Sequence, residues 1–169
     1  REARHLFEGK RLVPPPPLPD LSSHWKEQFE EELGKPTTRL DEGVYEDGLL
    51  KLLRVKPPRG YRVRRSSERD LHVLLESDRE KVGVSISNSE NMTSLAKYLK
   101  RLQELIDKKK VSRLIFLRDA RLPISPTAAV TQQRLKDLGQ RGMRILRPPA
   151  EAYAALNVLR RLWNQAAEN

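Results

Sequence analysis

No cysteine occurs in the 169 residues of this chain. That excludes disulfides and thiolate metal ligands, and it fits a reducing compartment, so a cytoplasmic location is expected. Histidine is scarce too. His5, His24 and His72 stand far apart without ligand spacing, which argues against a zinc site or a histidine-based triad. Aromatic residues make up only 5% of the chain, poor material for a platform that stacks single-stranded bases. No apolar run reaches the roughly 18–20 residues needed to cross a bilayer, and no signal peptide precedes a cleavage site. No complete catalytic motif is present, so no metal or cofactor is expected.

What the chain has in plenty is charge, unevenly placed. Charged residues are 33% of the total, with a formal net charge of +10. Residues 1–50 hold seven lysines and arginines against eleven acids, a net of −4. Residues 51–169 hold the other 26 basic residues against 12 acids, a net of +14. A surplus of that size in one folded segment attracts polyanions and favours contact with phosphate backbones at low salt.

Composition and punctuation divide the chain into three. Residues 1–21 form a proline-rich arm, with Pro14, Pro15, Pro16, Pro17 and Pro19 favouring polyproline II; it reads as a linker or as a docking peptide. Residues 22–54 form an acidic helical segment. Its first helix is capped by Ser22 or Ser23, carries Trp25, Phe29 and Leu33, and stops at Gly34. Its second helix, about Leu40 to Arg54, ends at Lys56-Pro57-Pro58-Arg59-Gly60. Residues 55–169 form a basic α/β domain. Period-two stretches predict strands at Tyr61–Arg64, Leu71–Leu75 and Val82–Ile86, the last two joined by a turn at Ser77–Glu80. Leu95, Leu99, Leu102 and Ile106 predict a helix starting at Ser89 or Asn91. A buried strand over Val111–Leu117 follows, then a helix capped at Ser125-Pro126 and running to Gln140. A short strand at Met143–Leu146 precedes a last helix from Ala150, with Trp163 expected in the core. The expected fold is α/β: a mixed central sheet with an antiparallel three-strand start, helix–strand crossovers, helices on both faces and a helical arm in front.

A helix, three strands, a helix and another strand, spanning residues 40–118, resembles the core of the restriction-endonuclease-like (PD-(D/E)xK) superfamily. The resemblance implies Mg²⁺ held by an acid near the second strand and by the acid of a Glu-x-Lys on the third, with the lysine serving the attacking water. Here the second strand offers Asp70 at its start and Glu76 at its end. The third reads Ser85-Ile86-Ser87 where Glu-x-Lys is required. Serine replaces neither an inner-sphere carboxylate nor a lysine cation. The resemblance therefore implies a copy without its catalytic pair. If the chain is nonetheless a Mg²⁺-dependent nuclease, Asp70, Glu76 and Asp119 are its candidate catalytic residues.

Asp119 lies in Arg118-Asp119-Ala120-Arg121, directly after the buried strand, where open α/β sheets place their ligand crevice. The cluster suits a metal or phosphate site, or an ion pair that fixes the loop. Candidate nucleic-acid contacts are Arg59, Arg62, Arg64, Arg65 and Arg69 around the first strand, Lys97, Lys100 and Arg101 on the long helix, and Arg118 and Arg121 at the strand end. Tyr61 and Tyr98 are the only nearby rings for stacking. The expected function is non-catalytic binding of nucleic acid, duplex DNA foremost, as one module of a larger bacterial or archaeal DNA-handling protein; the chain opens on Arg1 as a fragment or processed chain does. The alternatives are a protein–protein assembly domain of a multi-subunit machine and the nuclease. The expected partners are nucleic acid and other parts of a parent protein, not a membrane.

Overall fold

The computed structural model describes residues 20–36 and 40–168. The proline-rich segment lies outside the described residues. Five helices and five strands follow in the order α1 (Leu21–Gly34), α2 (Glu42–Val55), β1 (Arg62–Arg65), β2 (Val73–Glu76), β3 (Lys81–Ile86), α3 (Met92–Asp107), β4 (Arg113–Leu117), α4 (Ala129–Gln140), β5 (Arg144–Leu146) and α5 (Ala150–Glu168). The strands make one sheet in the order β1-β2-β3-β4-β5. The β1–β2 and β2–β3 pairs are antiparallel, and the β3–β4 and β4–β5 pairs are parallel. The mixed sheet expected from the alternation of periods is the one formed.

Strand alternation sorts the side chains into two cores. Leu74, Leu114 and Phe116 meet Leu95, Leu99 and Leu102 of α3 and Leu138 of α4 on one face. Val73, Leu75, Val82 and Val84 meet Leu50 of α2 on the other, where Ile86 and Leu117 meet Tyr45 and Tyr153. The sheet is therefore covered by α3 and α4 on one side and by α2 and α5 on the other. The acidic helical segment joins the α/β domain through α2, which supplies Val44, Tyr45 and Leu50 to the core. Gly83 in β3 lets the backbone approach closely: a Cβ there would stand 2.9 Å from Leu71 and 3.0 Å from Val111. Among the described residues no helix is long and apolar enough to cross a membrane.

Three local expectations need correction. The cap of α1 is Asp20, whose carboxylate accepts the Ser22 amide and the Ser23 hydroxyl; a carboxylate outcompetes the two serines it binds. Ser125 and Pro126 do not open α4. They form a turn in which Ser125 Oγ accepts the Thr127 amide, and α4 begins at Ala129 without a side-chain cap. Trp163 is 41% exposed, because α5 turns Tyr153, Ala154 and Val158 inward rather than the stripe through Trp163. The Asn91 cap of α3 is as expected, accepting the Ser94 amide at 2.8 Å.

The closest helix contact is α2 on α5. A Cβ on Gly48 would lie 2.8 Å from both the Cβ and the carbonyl oxygen of Leu156, neither of which can rotate away. Gly48→Ala is expected to lose about 1–2 kcal/mol in urea denaturation, the overpacking outweighing the helix propensity of alanine. Gly139→Ala in α4, where nothing lies within 4 Å, is expected to gain up to about 1 kcal/mol.

Candidate nucleic-acid interface

The helical period that buries Leu95, Leu99 and Leu102 puts Lys97 and Lys100 on the exposed side of α3. Neither lysine has an ion-pair partner among the described residues. Arg101, beside them, grips Asp70 with a fork of two bonds, Nε to Oδ2 at 2.5 Å and Nη2 to Oδ1 at 3.1 Å. That pair draws the β1–β2 connection, and Arg69 with it, against α3. Arg69 is exposed and carries no ion pair among the described residues. In β1, Val63 packs towards α2, so Arg62 and Arg64 point to the α3 side of the sheet. Arg64 is held by Glu76 of β2, Nε to Oε2 at 2.9 Å, and Arg65 turns the other way to Glu46 of α2 at 2.9 Å. Arg59 and Arg62 are exposed and form no ion pair among the described residues. Of the ten residues expected to contact nucleic acid, Arg59, Arg62, Arg69, Lys97 and Lys100 thus present uncompensated charge, and Arg64, Arg65 and Arg101 present charge that is already paired.

Arg118 is the clear correction. It is 0% exposed, out of reach of any phosphate. Strand alternation turns it inward after Leu114 and Phe116, where it donates to the carbonyls of Leu122, Ser87, Ser89 and Pro123 at 2.8–3.2 Å. Burial, then the charge of Arg147, lowers its pKa from the ordinary arginine value. Asp119 next to it is also fully buried. Its oxygens accept the Arg121 amide and Nε at 2.9 Å, Arg121 Nη2 at 2.8 Å and the Tyr45 hydroxyl at 2.5 Å. Burial pushes the Asp119 carboxyl up, yet Arg121 and Tyr45 outweigh it and hold the group below its usual range. Burial and the adjacent carboxylate push the Tyr45 phenol up. The Tyr153 ring meets Tyr45 edge-on and lies 5.3 Å under the Arg121 guanidinium. Of the two readings of this cluster, the geometry is that of an ion pair fixing the loop.

The nuclease candidates do not converge. Asp70 precedes β2 and Glu76 is its last residue, each already paired with arginine, and Asp119 is enclosed just past β4. Among the described residues no three histidine or acidic side chains are grouped to hold a metal. At the Glu-x-Lys position, Ser85 is 0% exposed; its Oγ donates to the Asp70 carbonyl at 2.7 Å and shares a hydrogen bond with the Tyr98 hydroxyl. Burial pushes the Tyr98 phenol up. Asp70 itself sits at φ 68°, a left-handed conformation that aspartate tolerates better than most residues. The stackers considered from sequence are engaged as well: Tyr61 bonds to Glu80, and Tyr98 of α3 turns onto the sheet, its hydroxyl donating to the Ile86 carbonyl.

Sequence reasoning missed the partners of these groups, namely Tyr45, Tyr98, Tyr153 and Arg147. They lie up to 74 residues away along the chain, and only the Asp-x-Arg spacing gave any local sign. No known protein family matches the chain, and no curated protein matches it significantly.

Two outcomes follow from this chemistry. Arg118→Met keeps much of the side-chain volume but takes the guanidinium donors from the carbonyls of Ser87, Ser89 and Pro123, Leu122 keeping its bond from Arg147, and it is expected to cost about 3 kcal/mol in chemical denaturation. His72 Nδ1 accepts the Ile86 amide at 3.1 Å, so the ring is neutral in the folded protein. Burial lowers its pKa below the ordinary 6.5, against the opposing pull of Glu46, Glu42 and Asp70, while Arg65 adds to the lowering. The unfolded chain therefore binds the proton first. The stability His72 contributes is whole above about pH 6.5 and is lost as pH falls through the folded value. Urea midpoints should fall between about pH 7.5 and 5.5, and His72→Asn, whose amide oxygen accepts the same bond without titrating, should flatten that fall.

Proposed function

We propose that this protein is a non-catalytic nucleic-acid-binding module, built on a restriction-endonuclease-like core and acting as one part of a larger DNA-handling protein. The observation that carries the reading is the exposed cationic surface formed by α3 and the β1 region, where Arg59, Arg62, Arg69, Lys97 and Lys100 form no ion pair among the described residues. Cations left uncompensated across one side of a sheet attract a phosphate backbone and release its counterions. Duplex DNA is favoured over single strands because no aromatic ring is presented beside these cations. The order α2-β1-β2-β3-α3-β4, with antiparallel then parallel pairing, supports the superfamily likeness. Binding without cleavage is favoured because the position of the catalytic pair holds Ser85 and Ser87, both buried, and because Asp70 is neutralised by Arg101.

Fluorescence anisotropy with a labelled duplex, from about 50 to 300 mM salt, tests this reading. Affinity should fall steeply and linearly on logarithmic axes. The double variant Lys97→Ala/Lys100→Ala should bind more weakly on every sequence and lower the slope by about two. Its melting temperature should stay close to that of the parent chain, since both side chains are exposed and unpaired. Absence of binding at about 50 mM salt, or a flat salt response, overturns the reading.

A further inference from the structure

The two edges of the sheet are unlike. β1, at one edge, is four residues with three arginines, of which Arg64 and Arg65 are tied to acids. Charge of that density guards an edge against unwanted pairing. β5, at the other edge, has one neighbour only in the sheet, and from Leu138 to Ala150 the chain holds arginines and no aspartate or glutamate.

The parallel register fixes which peptide groups of β5 are free. Leu146 O accepts from Arg118 N at 3.0 Å, and Pro148 O accepts from Ala120 N at 2.9 Å. Arg144, Leu146 and Pro148 therefore turn their backbone groups towards β4, and the alternate residues Ile145 and Arg147 turn theirs away from it. No partner for those outward N–H and C=O groups occurs among the described residues. The row is closed beyond Arg147 by Pro149, which has no N–H to offer. Ile145 and Leu146 lie on opposite faces of the strand and are 39% and 48% exposed. Of the nearby cations, Arg141 is bound to Asp107, and Arg147 donates to the Leu122 carbonyl at 2.7 Å, but Arg144 is exposed and has no ion pair among the described residues.

We propose that the free edge of β5 receives an extended acidic segment of a partner protein, which adds a sixth strand to the sheet. Two outward donor–acceptor pairs set the register, Ile145 and Leu146 give an apolar contact on each face, and Arg144 selects a carboxylate beside it. A second copy of this chain is disfavoured because pairing β5 with β5 gathers the arginines of both copies into one short ribbon. Nucleic acid is disfavoured because the outward carbonyls and the two apolar side chains have nothing to accept from, or pack against, on a phosphate backbone.

The probe is a fluorescein-labelled peptide of alternating glutamate and valine, titrated with the whole chain by fluorescence polarisation. Saturable binding is expected, weaker by about tenfold or more for the peptide with lysine in place of glutamate. Ile145→Pro removes one outward N–H and no ladder bond to β4, and should weaken binding about tenfold without shifting the far-UV spectrum. Arg144→Glu should abolish the preference for the acidic peptide. If Ile145→Pro does not fold, the same test is made on the peptide, where N-methylation of alternate residues should abolish binding. Equal binding of the acidic and basic peptides, or binding indifferent to both Ile145→Pro and N-methylation, overturns the proposal. So does self-association, or duplex binding, that is lost on Arg144→Glu while the peptide goes unbound.

Discussion

A fully buried guanidinium holds one end of this sheet together. Arg118 leaves β4 and enters a space where only carbonyl oxygens meet it, two from the segment before α3 and two from the loop before α4. Burying a cation without a carboxylate in direct contact is costly unless every donor finds a well-placed acceptor. A flat fork with five N–H groups can meet four carbonyls at once, which a lysine cannot. The next residue, Asp119, repeats the device with opposite charge, and through Tyr45 and Arg121 it anchors α2 and the Tyr153 ring of α5. Two adjacent residues just past β4 thereby tie down the loops before α3 and α4 and the helix α2. The loops that bear no regular structure are held by side chains instead of by a ladder.

The same constraint shapes the electrostatics. The acidic stretch of the sequence does not lie over the basic helix. α1 packs on α5, where Glu32 accepts from Asn157 at 2.6 Å and approaches Arg161 at 3.4 Å, on the far side of the sheet from α3. The division of charge along the chain becomes a division across the sheet. An acidic layer on the far side of the sheet does not cover the cationic face of α3.

Much of the fold was legible because its signals are local. Period two at Val73–Glu76 and Lys81–Ile86, period 3.6 along α3, and the Pro57-Pro58 and Pro148-Pro149 stops each depend on a few neighbouring residues. The site was less legible because it depends on pairings across the sheet. Arg64, Arg65 and Arg101 look alike in sequence to Arg62 and Arg69, and only the register of β1 on β2 and the approach of α2 and α3 decide which charges are cancelled. Arg118 was the exception that carried a sign: continuing the alternation of Leu114 and Phe116 by one more step points it inward. Trp163 misled because α5 has α1 on one flank and α2 on the other, so its buried stripe is set by two neighbours rather than by the strongest apolar periodicity.

On the restriction-endonuclease-like reading, the region between β2, β3 and α3 has exchanged one kind of cation site for another. A divalent ion there needs carboxylates from both strands with free lone pairs. Here β3 offers no acid, both oxygens of Asp70 are engaged by Arg101, and the Ser85 hydroxyl is turned to the Asp70 carbonyl and to Tyr98. A metal would have to displace a bidentate guanidinium. The left-handed backbone of Asp70 is held in place by this same set of bonds, three of them to its own carbonyl and carboxylate from α3. What the arrangement gains is rigidity: the β1–β2 connection, with Arg69 on it, is fixed against the helix that carries Lys97 and Lys100. A surface that binds a phosphate backbone benefits from cations held in register before the ligand arrives, since less ordering is then left to the moment of binding.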